Sequence, residues 1–141
     1  MRIRVEVEIR PTEDEDKVRR AVSQIFDLES YRISDAGDYR ILIGESGSIS
    51  SLLRMREIII RERIADTARR IMSRGTTDRY VSFKLNKQAA YAGKLSFVEE
   101  DHESSLGPIN VFIEARDAKE LIDWLAPNTY EKVMREIPRD L

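Results

Sequence analysis

A chain of 141 residues with 24 basic and 26 acidic side chains, one histidine and no cysteine has the length of one ordinary domain, taken as residues 1–141, and can form neither disulfides nor thiolate metal sites. No window approaches the ~18 consecutive apolar residues of a membrane span, and the opening MRIRVEVE alternates where a signal peptide runs apolar, so a soluble cytoplasmic protein is expected. The net charge of −2 argues against indiscriminate polyanion binding, and the 35% charged content leans towards a thermophile whose surface ions form networks.

Ile3, Val5, Val7 and Ile9 alternate with charged residues, which predicts a half-buried strand over 2–10, stopped by Pro11. Thr12 followed by Glu15 has the form of a capping box and predicts a helix from about Glu13 to Phe26, burying Val18, Val22, Ile25 and Phe26. Asp35-Ala36-Gly37-Asp38 reads as a turn between strands at Tyr31–Ile33 and Tyr39–Gly44. Ser48 then caps a long helix that Gly75 stops, with Ile49, Leu53, Ile60, Ile64 and Ile71 as its buried stripe. Three more strands are predicted at Tyr80–Leu85, Lys94–Val98 and Ile109–Ala115, with an acidic loop, Glu99–Glu103, before the last. Asp117 and Glu120 cap a final helix to about Leu125, ended by Pro127, and the tail 128–141 is expected to be less ordered. Without strict βαβα alternation, the expected class is α+β: a mixed, largely antiparallel sheet with helices packed on one face.

Enzyme chemistry finds little support in this pattern. His102, the only histidine, sits among acids in a loop, where solvation is a simpler role than metal ligation. Gly44-Glu45-Ser46-Gly47 lacks the spacing and the lysine of a phosphate-binding loop, although the helix start at Ser46–Ser51 could attract an anion. The expectation is a protein that is not an enzyme, with no cofactor and no metal.

Basic chemistry is concentrated instead. Between Leu52 and Arg74 there are seven arginines, no lysine and three acids, giving +4 in a chain whose total is −2. Guanidinium is always charged and presents a planar fork suited to phosphate or carboxylate. On a continuous helix Arg56, Arg63, Arg70 and Arg74 form one ridge about 27 Å long, able to follow a nucleic-acid backbone. Arg54, Arg61 and Arg69 fall on the opposite flank. The same residues also fit a solvated face tied by local ion pairs, Glu57–Arg61, Asp66–Arg70, Arg54–Glu57 and Arg63–Asp66. A second basic group lies in FKLNKQAAYAGK, where Lys84, Lys87 and Lys94 are half of the chain's lysines. Read as a hairpin connection, this segment presents Asn86, Lys87 and Gln88 together, with Tyr91 free to stack on a base or to pack inward.

PTED at Pro11–Asp14, the arginine-rich segment, LNKQAA at Leu85–Ala90, LGPI at Leu106–Ile109 and LIDWLAPNT at Leu121–Thr129 together resemble the archaeal uncharacterised protein family 0201, over nearly the whole chain. That resemblance implies a cytoplasmic archaeal RNA-binding protein with no known catalytic activity, possessing a fold similar to the 5S-RNA-binding large-subunit ribosomal protein and proposed to associate with the exosome or another ribonucleoprotein complex. It makes Asn86, Lys87 and Gln88 candidate contacts. Two readings follow. In the first, Arg56, Arg63, Arg70, Arg74, Lys84, Lys87 and Lys94 grip RNA phosphates. In the second, the arginine helix meets an acidic protein partner or a second copy in a homodimer.

Overall fold

The structure is a computed structural model, and it describes residues 1–99, 106–129, 133–134, 136–138 and 141. His102, the acidic loop beyond Glu99 and part of the tail lie outside the described residues. Five strands form one antiparallel sheet in the order β2-β3-β1-β5-β4: β1 Arg2–Ile9, β2 Ser30–Asp35, β3 Arg40–Ser46, β4 Tyr80–Asn86 and β5 Pro108–Glu114. The alternation in β1 places Ile3, Val5, Val7 and Ile9 in the core, the first three opposite Ile113, Val111 and Ile109 of β5. The helices α1 Glu15–Ile25, α2 Leu53–Arg61, α3 Ala65–Arg74, α4 Lys87–Tyr91 and α5 Ala118–Leu125 contribute Val22, Met55, Met72, Ala90 and Trp124 to the same core. No helix among the described residues is long and apolar enough to cross a membrane.

Four local expectations change. First, α1 starts later, capped by Asp14, whose carboxylate accepts from the Asp16 amide at 2.8 Å. Residues 11–13 stay outside the helix because the Glu13 carboxylate is held by the Arg10 amide at 3.0 Å and by Lys87.

Second, the predicted long helix is three pieces: a 3₁₀ turn at Ile49–Leu52, α2 and α3. α2 ends in a turn where the Ile64 amide donates to the Ile59 carbonyl and the Arg63 amide to the Ile60 carbonyl. Arg63 takes the left-handed position there, with φ +58°, a place where glycine is usual. The break shifts the buried set to Leu52 of the 3₁₀ turn, Met55, Ile58 and Ile59 on α2, and Ala68 and Met72 beside Ile71 on α3. Of the predicted stripe only Ile71 is buried; Ile49, Leu53, Ile60 and Ile64 are half-buried.

Third, FKLNKQAAYAGK is not a hairpin connection. Asn86 ends β4 and caps α4, its side chain accepting from the Ala89 amide at 2.9 Å. Fourth, Lys94–Val98 is no regular strand: it follows the β4 edge through a single bridge, Leu85 to Phe97, with the Asn86 amide donating to Ser96 and the Val98 amide to Lys84.

Gly75 has its own reason to be glycine. Its backbone φ is −97°, but an added Cβ would stand 2.0 Å from the Ser82 carbonyl oxygen, so it permits α3 to end directly against β4.

Candidate nucleic-acid interface

The break in the arginine segment decides what each guanidinium can do. Arg56 faces inward: its Nε donates to the Trp124 carbonyl at 2.8 Å and its Nη2 to the Val133 carbonyl at 3.0 Å. Its guanidinium also stands 5.2 Å from the Trp124 ring centre, and burial pushes its pKa below the usual value. Arg69 is held by Asp123 at 2.6 Å and by the Ala126 carbonyl at 3.2 Å. Both therefore bind the C-terminal helix, supplying donors to carbonyls at its end, where a helix lacks them. Arg54 reaches the Ser23 carbonyl and Asp27.

Arg63, Arg70 and Arg74 are exposed. Glu99 meets Arg70 at 2.8 Å and Arg74 at 4.0 Å. None of the four local pairs expected on a continuous helix lies within ion-pair distance; the arginines pair with other elements instead, apart from Arg61 with adjacent Glu62 at 3.6 Å.

Lys87 is the sharpest departure. It is fully buried, and its ammonium donates to the Glu8 and Leu106 carbonyls, each at 2.7 Å, and to Glu13 at 3.0 Å. An ammonium has three protons, so no donor remains for a phosphate. Desolvation lowers its pKa, against the raising effect of Glu13. The Tyr91 hydroxyl donates to the other Glu13 oxygen at 3.2 Å, and burial followed by the Glu13 charge pushes its pKa up to about 12. Lys87 thus ties the end of β1, the approach to α1 and the entry to β5. Asn86 is occupied as a helix cap, while Gln88 and Lys94 are exposed.

Arg74 and Lys84 do come together. Both line a depression of about 310 Å³ at the β4 edge, with Ser82, Asn110 and Phe112 on its floor. A larger depression, about 440 Å³, adjoins it across the sheet and shares Ser82 and Phe112; Arg2, Arg4 and Tyr80 are among its lining residues. Sequence reasoning passed over Phe112 and Tyr80. The signal was present: both occupy outward positions of strands whose alternate residues, Val111 and Ile113 or Val81 and Phe83, are core. Among the described residues no group of three or more acidic or histidine side chains could hold a metal ion.

A family model described as RNA binding matches residues 2–115, from the first residue of β1 to just past the end of β5. A UPF0201 protein of Aeropyrum pernix is 49% identical over 131 residues, covering 92% of this chain and 87% of that one. Another from Sulfurisphaera tokodaii is 44% identical over 132 residues, covering 94% and 91%. The crystal structure of a UPF0201 protein from Methanococcus jannaschii, 27% identical, superposes with a TM-score of 0.78 and covers 96% of this chain and all of that one. The chain belongs to the archaeal uncharacterised protein family 0201, and the family model that matches its residues 2–115 is described as RNA binding.

Proposed function

We propose that this protein binds RNA through its phosphate backbone at the β4 edge, with Arg70 and Arg74 of α3 and Lys84 of β4 as the principal cations. The observation that supports this reading is the common groove of Arg74 and Lys84, which brings the end of the arginine-rich segment and the start of the lysine-bearing one to a single surface. Glu99 occupies the arginine side of that groove. Its bridges to Arg70 and Arg74 are about half exposed, and such pairs contribute only ~0–1 kcal/mol. An incoming phosphate, with more acceptor oxygens and charge, replaces the carboxylate at small cost. Arg63, Gln88 and Lys94 are exposed and extend the contact where the RNA is long enough. Arg56, Lys87 and Asn86 act on the fold.

The test is a salt series by fluorescence polarisation with labelled RNA. On a single strand each phosphate contact adds about 0.7 to the slope of log K against log salt. The Arg74→Gln/Lys84→Gln double variant should lower that slope by about 1.4 and weaken binding most at low salt. Unchanged affinity and slope in this variant would sink the assignment.

A further inference from the structure

The helices cover one face of the sheet; the other face carries the alternate residues of all five strands. Its two halves differ. Across β2, β3 and β1, cations and carboxylates pair on the surface: Arg32 with Glu45 at 3.1 Å, Arg4 with Glu6 at 2.7 Å, and Arg10 with Glu8 at 3.0 Å. Across β5 and β4 the outward residues include Phe112, Asn110, Tyr80 and Ser82. Phe112 is 45% and Tyr80 55% exposed, which is unusual for large rings on a sheet that has a full core on its other side. Register sets Phe112 opposite Ser82 and Tyr80 opposite Glu114, so the two rings are diagonal neighbours with Cβ atoms roughly 7 Å apart. That spacing leaves room for one flat ligand on each ring.

We infer that the β5–β4 half of the open face is a base-stacking platform for single-stranded RNA, with successive bases on Phe112 and Tyr80 and the intervening backbone directed to Arg74 and Lys84. The inference rests on the RNA reading above and names the form of RNA. Three observations select this occupant. The two depressions meet at their shared residues Phe112 and Ser82, and Tyr80 lines the second, so a strand leaving the cationic groove along the sheet has both rings within reach. The carboxylates on the larger depression, Glu29, Glu45 and Glu114, repel phosphate and accept from base amino groups, so they orient the strand with bases towards the sheet and phosphates towards the rim. A second copy stacked sheet on sheet would have to strip water from Arg2, Arg4, Glu45 and Glu114 on both partners, a costly desolvation. Aromatic rings on open antiparallel sheets are a general means of holding unpaired bases, which a duplex keeps hidden.

The experiment measures binding of labelled adenosine and uridine RNA octamers, and of an RNA duplex of the same length, to the full chain. The wild type should prefer the single strands. Phe112→Leu and Tyr80→Leu keep an apolar side chain but remove the π face, and each should weaken single-strand binding about tenfold with an unchanged salt slope. Phe112→Trp should retain binding, and a thermal melt of each variant guards against misfolding. If both leucine variants bind as wild type while Arg74→Gln/Lys84→Gln is weakened, the platform is wrong and the phosphate reading survives. A duplex preference overturns the platform as well. Absence of RNA binding by the wild type overturns both readings. Should light scattering reveal a dimer that Phe112→Leu dissolves without loss of RNA affinity, the face belongs to a second copy.

Discussion

Arg56 and Arg74 belong to the same basic run and carry the same charge, yet one is built into the molecule and the other faces water. Arg56 satisfies two carbonyls and covers an indole; Arg74 ends α3 beside Lys84. The two lysines of one short string also part ways: Lys84 lines the groove with Arg74, whereas Lys87 is buried with all three protons donated. Charge counted along a chain is therefore not charge available to a partner. What decides is whether backbone carbonyls nearby lack donors, as they do at the end of α5 and around Lys87.

Removing the built-in cations should damage stability and leave RNA affinity per folded molecule unchanged, the reverse of what is expected at Arg74 and Lys84. The largest effect should come from Lys87→Ala. It strands the Glu13 carboxylate, whose side chain is 7% exposed, and two carbonyls, so a loss of about 3–5 kcal/mol is expected in denaturant titrations. A loss below about 1 kcal/mol would mean the ammonium is not the tie the geometry makes it. Next comes Arg56→Gln, which forfeits two hydrogen bonds and the indole contact, about 2 kcal/mol. Faster hydrogen exchange in α5 should accompany it, because that is the element Arg56 holds.

Arg63→Gly should act in the opposite direction. Relief of the left-handed backbone at φ +58° outweighs glycine's extra chain entropy, and a gain of about 0.5–1 kcal/mol is expected. A loss would show that the exposed guanidinium contributes to the fold after all. The smallest effect concerns pH. The Tyr91 hydroxyl is held neutral up to about 12, against its ordinary 10.0. A raised folded-state pKa gives stability that is present below the unfolded value and lost as pH climbs through the folded one. Tyr91→Phe should flatten the pH dependence of stability between those two values and leave its slope near neutrality unaltered.

Elements whose signals are local were legible in the sequence. β1 followed from strict alternation, and α5 from Asp117, whose carboxylate accepts from the Glu120 amide at 3.1 Å. The break between α2 and α3 was not legible, because it uses neither proline nor glycine: an arginine takes the strained position, and the packing of Ile59 and Met72 into the core selects it. Once the helix is cut, the phase of every arginine relative to the core changes, so a ridge drawn on a continuous wheel loses Arg56. Lys87 could not be read as buried either. Its partners Glu8, Glu13 and Leu106 are distant in sequence, and nothing beside it marks it as different from Lys84. The platform rings were readable as outward-facing by parity alone, yet their meaning required knowing that no helix among the described residues covers that face.

The tie at Lys87 also bears on how the molecule comes apart. Its ammonium joins groups separated by 79 and 74 positions along the chain, so loop closure across most of the strand order must precede it. A contact closed that late is expected to contribute little to the folding transition state, as chevron kinetics of Lys87→Ala would read out. Its removal should steepen unfolding while folding proceeds at nearly the native rate. Lys87 is thus a latch on the lifetime of the folded state, set at the junction where three segments meet.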